Sequence, residues 1–241
     1  MAGMRRIKLV AAAGVAAVIV FAVGCAGMGK RSPEEWLSLS VSGLAATDQY
    51  AFKGKTVVSA GGLTFTPRSF SGKVTDHNHI MAKTEDGKAL EWSPAQWIEK
   101  INDSNKEVSI ASNNDEGARS DTVKLRVRLD DASATAIWKK QLTEEMEAVA
   151  ASVPIEANAH RDEWLKELER SKRELNAMLE TLTVQSEFDV VIDKGKLVPL
   201  TLNEHSVFRY NKDKGQKEEK RDTAVEFDSF DGTPGTSKTS K

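Results

Sequence analysis

An uncharged, apolar run from Leu9 to Val23 follows Arg5, Arg6 and Lys8 and ends on Gly24 and the only cysteine of the chain, Cys25. A basic cluster before such a run has the form of an export signal, and the cluster stays on the cytoplasmic side of a membrane. The residues beyond Cys25 must therefore build the fold, outside the cytoplasm. The next stretch, Gly29-Lys30-Arg31-Ser32, is polar, and no core could form around Cys25 there.

The segment Ala22-Val23-Gly24-Cys25 resembles a lipobox, the recognition site of the lipoprotein signal peptidase, with Ala22 where leucine is usual. The resemblance implies cleavage between Gly24 and Cys25, a diacylglycerol on the Cys25 thiol, and a mature chain anchored in the membrane by its lipid. A competing reading is an uncleaved signal anchor, since Leu9 to Met28 is about as long as the ~20 apolar residues that span a bilayer.

Removing Arg5, Arg6 and Lys8 takes the formal charge from −2 to −5, which disfavours nucleic acid as a partner. Without a second cysteine the exported part has no internal disulfide. Its stability has to come from a hydrophobic core, and roughly 215 residues suffice to bury one.

Ser32-Pro33-Glu34-Glu35 is a capping box with proline at the first helical position. It opens a helix to about Thr47, with Trp36, Leu37, Val41 and Leu44 on one side. From Gln49 the period becomes two: Tyr50, Phe52, Thr56 and Val58 alternate with Lys53 and Lys55 up to Gly61-Gly62. Short strands are expected around 63–65, 70–74, 79–83 and 89–92, as a meander of hairpins. Ser93-Pro94-Ala95-Gln96 starts a second helix, carrying Trp97, Ile98 and Ile101 and ending near 102–105. Strand signals return at Val108 and Ile110 and in Val123, Leu125, Val127 and Leu129.

Residues 132–151 carry Trp138, Leu142, Met146 and Val149 as one helical stripe. A further helix over about 160–183 carries Trp164, Leu168, Leu175, Met178 and Leu182, and is expected to pack on a sheet. Phe188, Val190 and Ile192, a turn at 193–195, and Leu197 to Leu202 predict a hairpin. Ser206 to Tyr210 and Thr223 to Ser229 predict two more strands around a charged turn at 211–220.

Strands, helices and strands again indicate an α+β domain, a curved antiparallel sheet covered by helices. In the order of its elements the chain resembles the LolA-like lipoprotein and lipid carriers, which include LppX/LprG-type lipoproteins. The resemblance lies in the amphipathic helix leading into Asp48-Gln49-Tyr50-Ala51-Phe52 and in the late hairpin from Val190 to Pro199. It implies a half-open barrel, able to hold acyl chains or a partner's segment under a helical lid, with no enzymatic activity and no cofactor. The expected organisation is a signal peptide over 1–24, a tether over 25–32, the domain over 33–231 and a frayed tail over 232–241.

His77 and His79 have the spacing of two metal ligands on one strand face, but no third ligand lies near. His160 and His205 stand alone, and neither a nucleophile elbow, a phosphate loop nor a zincin helix is present. Trp36, Trp92, Trp97, Trp138 and Trp164 sit in or beside amphipathic helices. Core packing explains them most simply, while a groove lining would draw on Trp36, Tyr50, Phe52, Trp97, Trp138 and Trp164. Two functions are compatible with this pattern: a tethered module that shields a lipid or acyl chain, or a scaffold that holds another envelope protein at the membrane.

Overall fold

The structure, a computed structural model, describes residues 31–90, 92–111, 121–151, 160–212 and 215–232. The segment resembling a lipobox and the tail beyond Gly232 lie outside these residues. A compact unit begins at Ser32, whose hydroxyl accepts from the Glu35 backbone N–H at 3.2 Å while the Glu35 carboxylate accepts from the Ser32 N–H at 2.9 Å. This capping box starts α1 (Pro33–Ala46), which buries Leu37, Ser40 and Leu44.

Among the described residues nine strands form one curved, unclosed antiparallel sheet. They are β1 (Tyr50–Ala60), β2 (Leu63–Thr64), β3 (Arg68–Thr75), β4 (His79–Thr84), β5 (Lys106–Ile110), β6 (Thr122–Leu129), β7 (Thr183–Asp193), β8 (Pro199–Lys212) and β9 (Gly215–Asp228). Their order is β4-β3-β1-β9-β8-β7-β6-β5, with β2 folded onto the end of β1. Gly61 and Gly62, both at positive φ, make the two-residue β1–β2 turn, the conformation that a tight hairpin favours. The meander therefore holds locally. Its centre is closed by β9, the last strand, which pairs along β1 from Ala51↔Asp228 to Ala60↔Glu219.

The α+β architecture agrees with the expectation from sequence, with two local corrections. Where a strand is expected over 89–92, Ala89 makes only an isolated bridge with Lys83, Leu90 and Trp92 are not in strand, and Trp92 turns inward to pack on Phe52 and Phe70. Most of the expected charged turn at 211–220 is strand instead, with β8 and β9 paired out to Lys212↔Gly215. Cross-strand contacts of charged groups, Arg209 on Glu218 at 2.9 Å and the Tyr210 hydroxyl on Glu219, extend the ladder where no hydrophobic alternation marks it.

Strand alternation puts one set of side chains on the inner face. Over β5–β7 this face is sealed by α1, by α2 (Pro94–Asp103) and by the start of α3 (Asp131–Ala151). Leu125, Val127, Val190 and Ile192 lose all contact with solvent there, together with Leu37 and Ile98. Asp130 fixes the entry to α3: its carboxylate accepts from the Ala132 and Ser133 backbone N–H groups at 3.0 Å and from the Ser133 hydroxyl at 2.6 Å. These bonds, the hydroxyl foremost, hold its pKa below the ordinary value. Thr135 then accepts from the Val184 N–H at 2.9 Å, which pins the first turns of α3 to β7.

Helix α4 (Arg161–Thr181) packs less completely than its stripe predicts. Leu168 alone is buried along it, and its C-terminal half meets β8, where the Asn211 N–H donates to the Thr181 hydroxyl at 2.9 Å. The outer face of the sheet is solvated and charged, with Lys53 on Glu226 at 2.9 Å, Arg126 on Asp189 at 3.0 Å and His205 on Asp222 at 2.6 Å.

Candidate functional site

Where α3 passes beyond Trp138 it no longer seals the sheet. Leu142 still packs against the core, but Val149, on the same expected stripe, is 52% exposed. Beneath this overhang lies a cavity of about 1010 Å³, roofed by Trp138, Gln141, Glu145, Ala148 and Val149. Its floor is the inner face of β8 and β9, at Leu202, Glu204, Arg221, Thr223 and Val225, and its far wall is formed by Val58, Phe65 and Phe70 with Leu90 and Trp92. The volume lies at the upper end of the roughly 300–1,000 Å³ of small-molecule sites.

The aromatic wall is built by a reciprocal cross-strand arrangement. Phe52 lies opposite Gly72 and Gly54 lies opposite Phe70 in the β1–β3 register. Each glycine leaves room for the facing ring: a Cβ on Gly54 would stand 2.2 Å from Phe70 Cζ, and one on Gly72 would stand 2.4 Å from Phe52 Cζ. Trp92 meets both rings edge-on, with centroids 5.7 and 5.3 Å away. The wall is thus locked by packing before any ligand arrives.

Trp138 divides the sealed half from the cavity. Its ring packs edge-on against Trp97 at 5.3 Å and Phe208 at 5.0 Å, and its Nε1–H donates to the Ser186 hydroxyl at 3.1 Å. Ser186 and Ser206 share a 2.7 Å hydrogen bond, and the Ser206 hydroxyl donates to Glu204 Oε1 at 2.7 Å. Because the Ser206 proton is committed to Glu204, Ser186 donates to Ser206, and the chain runs in one direction from indole to carboxyl group. Burial pushes the Glu204 pKa up, while Arg221 and the hydroxyls of Ser206 and Thr223 pull it down without cancelling that effect. Arg221 lies over the Trp138 ring at 4.7 Å.

Of the six residues put forward for a groove, Trp97 and Trp138 line the cavity. Tyr50 and Phe52 are core residues, 1% and 3% exposed. The Tyr50 phenol is pushed up to about 12 by burial, beside Phe227 and Phe230. Trp36 packs on the edge of the core and Trp164 is half-buried on α4, so neither reaches the cavity, because α1 serves the sealed half of the sheet and α4 the end of β8. Gly24 and Cys25 lie outside the described residues. His77 occupies the β3–β4 turn at positive φ, 3.7 Å from Asp48, and His79 begins β4; among the described residues no three side chains are grouped to hold a metal ion.

Phe65, Phe70, Glu204 and Arg221 do not stand out as site residues in the sequence. A signal for two of them is nevertheless present. In Leu202-x-Glu204-x-Ser206-x-Phe208 and Arg221-x-Thr223-x-Val225-x-Phe227 the polar members share the parity of the apolar ones, so they must face inward with them.

No protein-family profile and no curated protein matches the sequence. Two solved structures follow the chain loosely. One, described as lipid-protein interactions in lipovitellin, has 7% identity and a TM-score of 0.32 over 80% of this chain, which spans only 26% of that protein. The other, a DUF1329 family protein from Desulfovibrio piger, has 8% identity and a TM-score of 0.22, with 87% of this chain and 96% of that one covered. The resemblance to LolA-like carriers rests on the order of elements alone.

Proposed function

We propose that this chain is a membrane-anchored, extracytoplasmic lipoprotein whose domain acts as a non-enzymatic binding module for a lipid or acyl chain. The cavity between the open part of the sheet and the overhang of α3 carries this reading. Its walls offer Val58, Phe65, Phe70, Trp92 and Trp97 to a ligand, and burial of an acyl chain yields about 0.8 kcal/mol per methylene. Ser206 is fully buried and bonded to Glu204, so its hydroxyl supports the floor and is closed to a bound molecule. The anchor is assigned to Cys25, after cleavage at Gly24, with the domain on the outer side of the membrane.

Native mass spectrometry of gently purified protein tests the binding role. A bound mass in the range of one lipid, restored by acyl-chain uptake after stripping, is expected; an empty protein that also refuses uptake overturns it. Intact mass of wild type and Cys25→Ala tests the anchor. A lipidated chain beginning at Cys25 is expected only in the wild type, whereas full-length unmodified masses in both leave residues 9–28 as a signal anchor.

A second reading, a scaffold that holds another envelope protein, is favoured by the two sheet edges. Among the described residues β5 has a strand neighbour on one side only, β4 has beyond β3 only the short 88–90 segment with its Lys83–Ala89 bridge, and Met81 on β4 and Ile110 on β5 are 55% and 54% exposed. An edge of this kind can accept a partner's strand. A stoichiometric partner recovered from envelope extract, and lost when β4 carries Met81→Pro, would favour it.

A further inference from the structure

We infer that the cavity takes an amphiphile with an anionic head group, and that Arg221 is the residue that receives the head. The inference rests on the binding role proposed above and names the chemistry of its ligand.

Arg221 projects from β9 opposite Ser206 of β8 and Val58 of β1, on the inner face and at the cavity floor. Its guanidinium is held in place from two sides: one face rests on the Trp138 ring at 4.7 Å, and Nε donates to the Thr223 hydroxyl at 3.4 Å. Thr223 is itself steadied by the Thr56 hydroxyl at 3.2 Å. A half-buried arginine preorganised in this way normally faces a carboxylate. Among the described residues, however, no carboxylate oxygen approaches its nitrogens within the 4.0 Å of an ion pair.

Glu204 is the nearest candidate, and the sheet keeps it at a diagonal. It lies opposite Thr223, one inward position along from the Arg221↔Ser206 pair, close enough for the Arg221 charge to act on it but with no ion pair between them. Its carboxyl group is engaged instead by Ser206. Burial raises its pKa against the pull of Arg221, and the ionisable groups around the cavity are Arg68, Arg221, Glu145 and Glu204. The guanidinium thus has an orientation, a half-buried setting and no contact anion among the described residues. A ligand head can supply that anion while its chain lies along Trp97, Trp92 and Phe70 toward Phe65.

A carboxylate and a phosphate monoester share this chemistry, because either accepts paired N–H donors from a guanidinium. The test titrates full-length protein, stripped of bound lipid, with palmitate, hexadecyl phosphate and hexadecanol, following tryptophan fluorescence. At least one anionic amphiphile is expected to bind about tenfold or more tighter than hexadecanol, and the stronger of the two identifies the head. Arg221→Met should abolish the preference while leaving hexadecanol binding in place, and Arg221→Lys should restore part of it. Near-ultraviolet circular dichroism confirms that each variant keeps its packed tryptophans. If wild type binds hexadecanol as tightly as both anions, or if Arg221→Met keeps the preference, the anionic head is wrong and the apolar binding role stands. Binding of none of the three removes both.

Discussion

The two halves of the inner sheet face differ in what their inward positions carry. Over β6 and β7 these positions are Val123, Leu125, Val127 and Leu129 and Val184, Phe188, Val190 and Ile192, all apolar and buried; Ser186, also buried, is the polar exception, and it bonds Trp138. Over β8 and β9 the series is mixed, with Glu204, Ser206, Arg221 and Thr223 between Leu202, Phe208, Val225 and Phe227. One surface is a core that excludes solvent and the other is the floor of a cavity. The contrast shows how a single sheet can separate stability from binding: helices seal the half whose side chains need no partner, and a helix overhangs the half whose polar groups do.

Removing buried bulk should break the comparison most. Leu125→Ala, in the sealed half, is expected to cost about 2–5 kcal/mol, read as a lower urea midpoint at unchanged slope. If a variant of the cavity wall such as Phe65→Ala cost as much, the distinction between the halves would fail.

Gly72→Ala should come next, at about 1–3 kcal/mol, because its Cβ would meet the Phe52 ring and force it away from Trp92. Unlike Leu125→Ala it should also weaken uptake of an acyl chain, since Trp92 is a cavity residue. Equal uptake by both variants would separate the aromatic wall from the ligand.

A smaller effect is expected from Glu204→Gln. The folded-state pKa of Glu204 is raised by burial, so the folded protein binds its proton more tightly than the unfolded chain and stability falls as pH rises above the ordinary glutamate value near ~4.3. Arg221 lessens that loss and Asp222 adds to it. The glutamine variant should therefore match wild type near pH 4 and gain on it toward pH 7 in thermal midpoint. A variant less stable than wild type at pH 7 would mean that the ionised carboxylate holds the floor together.

Phe65→Ala should be the mildest, within about 0.5 kcal/mol of wild type in stability, since the ring is already 54% exposed. Its effect should appear in the ligand titration as weaker binding.

Much of the fold is legible in the chain. The capping box at Ser32 and the Ser93 cap, the period-two runs at Tyr50 and Val123, and the stripe beginning at Trp138 all mark elements close to where they lie. The β8–β9 extension is not, because its strands are held by cross-strand charged contacts that look like a turn in one dimension. The cavity is half legible. Trp97 and Trp138 stand out as large aromatics on helices, whereas Phe70 and Trp92 become a wall only through Gly54 and Gly72, which the β1–β3 register brings opposite the rings.

Local physics is written in neighbouring residues: a cap needs its third residue, an amphipathic strand its second, and a helix stripe its third and fourth. The order of residues therefore suffices to set the type and placement of most elements, and which face of each is dry. Three outcomes needed the packed molecule: that β9 closes the sheet on β1, that α3 seals only as far as Trp138, and that Arg221 and Glu204 stand at a diagonal beneath it. The first depends on pairings between residues more than a hundred positions apart, as in Phe52↔Phe227, and the others on contacts between separate elements, as between Trp138 and Ser186 or Arg221. No local periodicity encodes such a pairing, because its energy appears only once the intervening chain has folded.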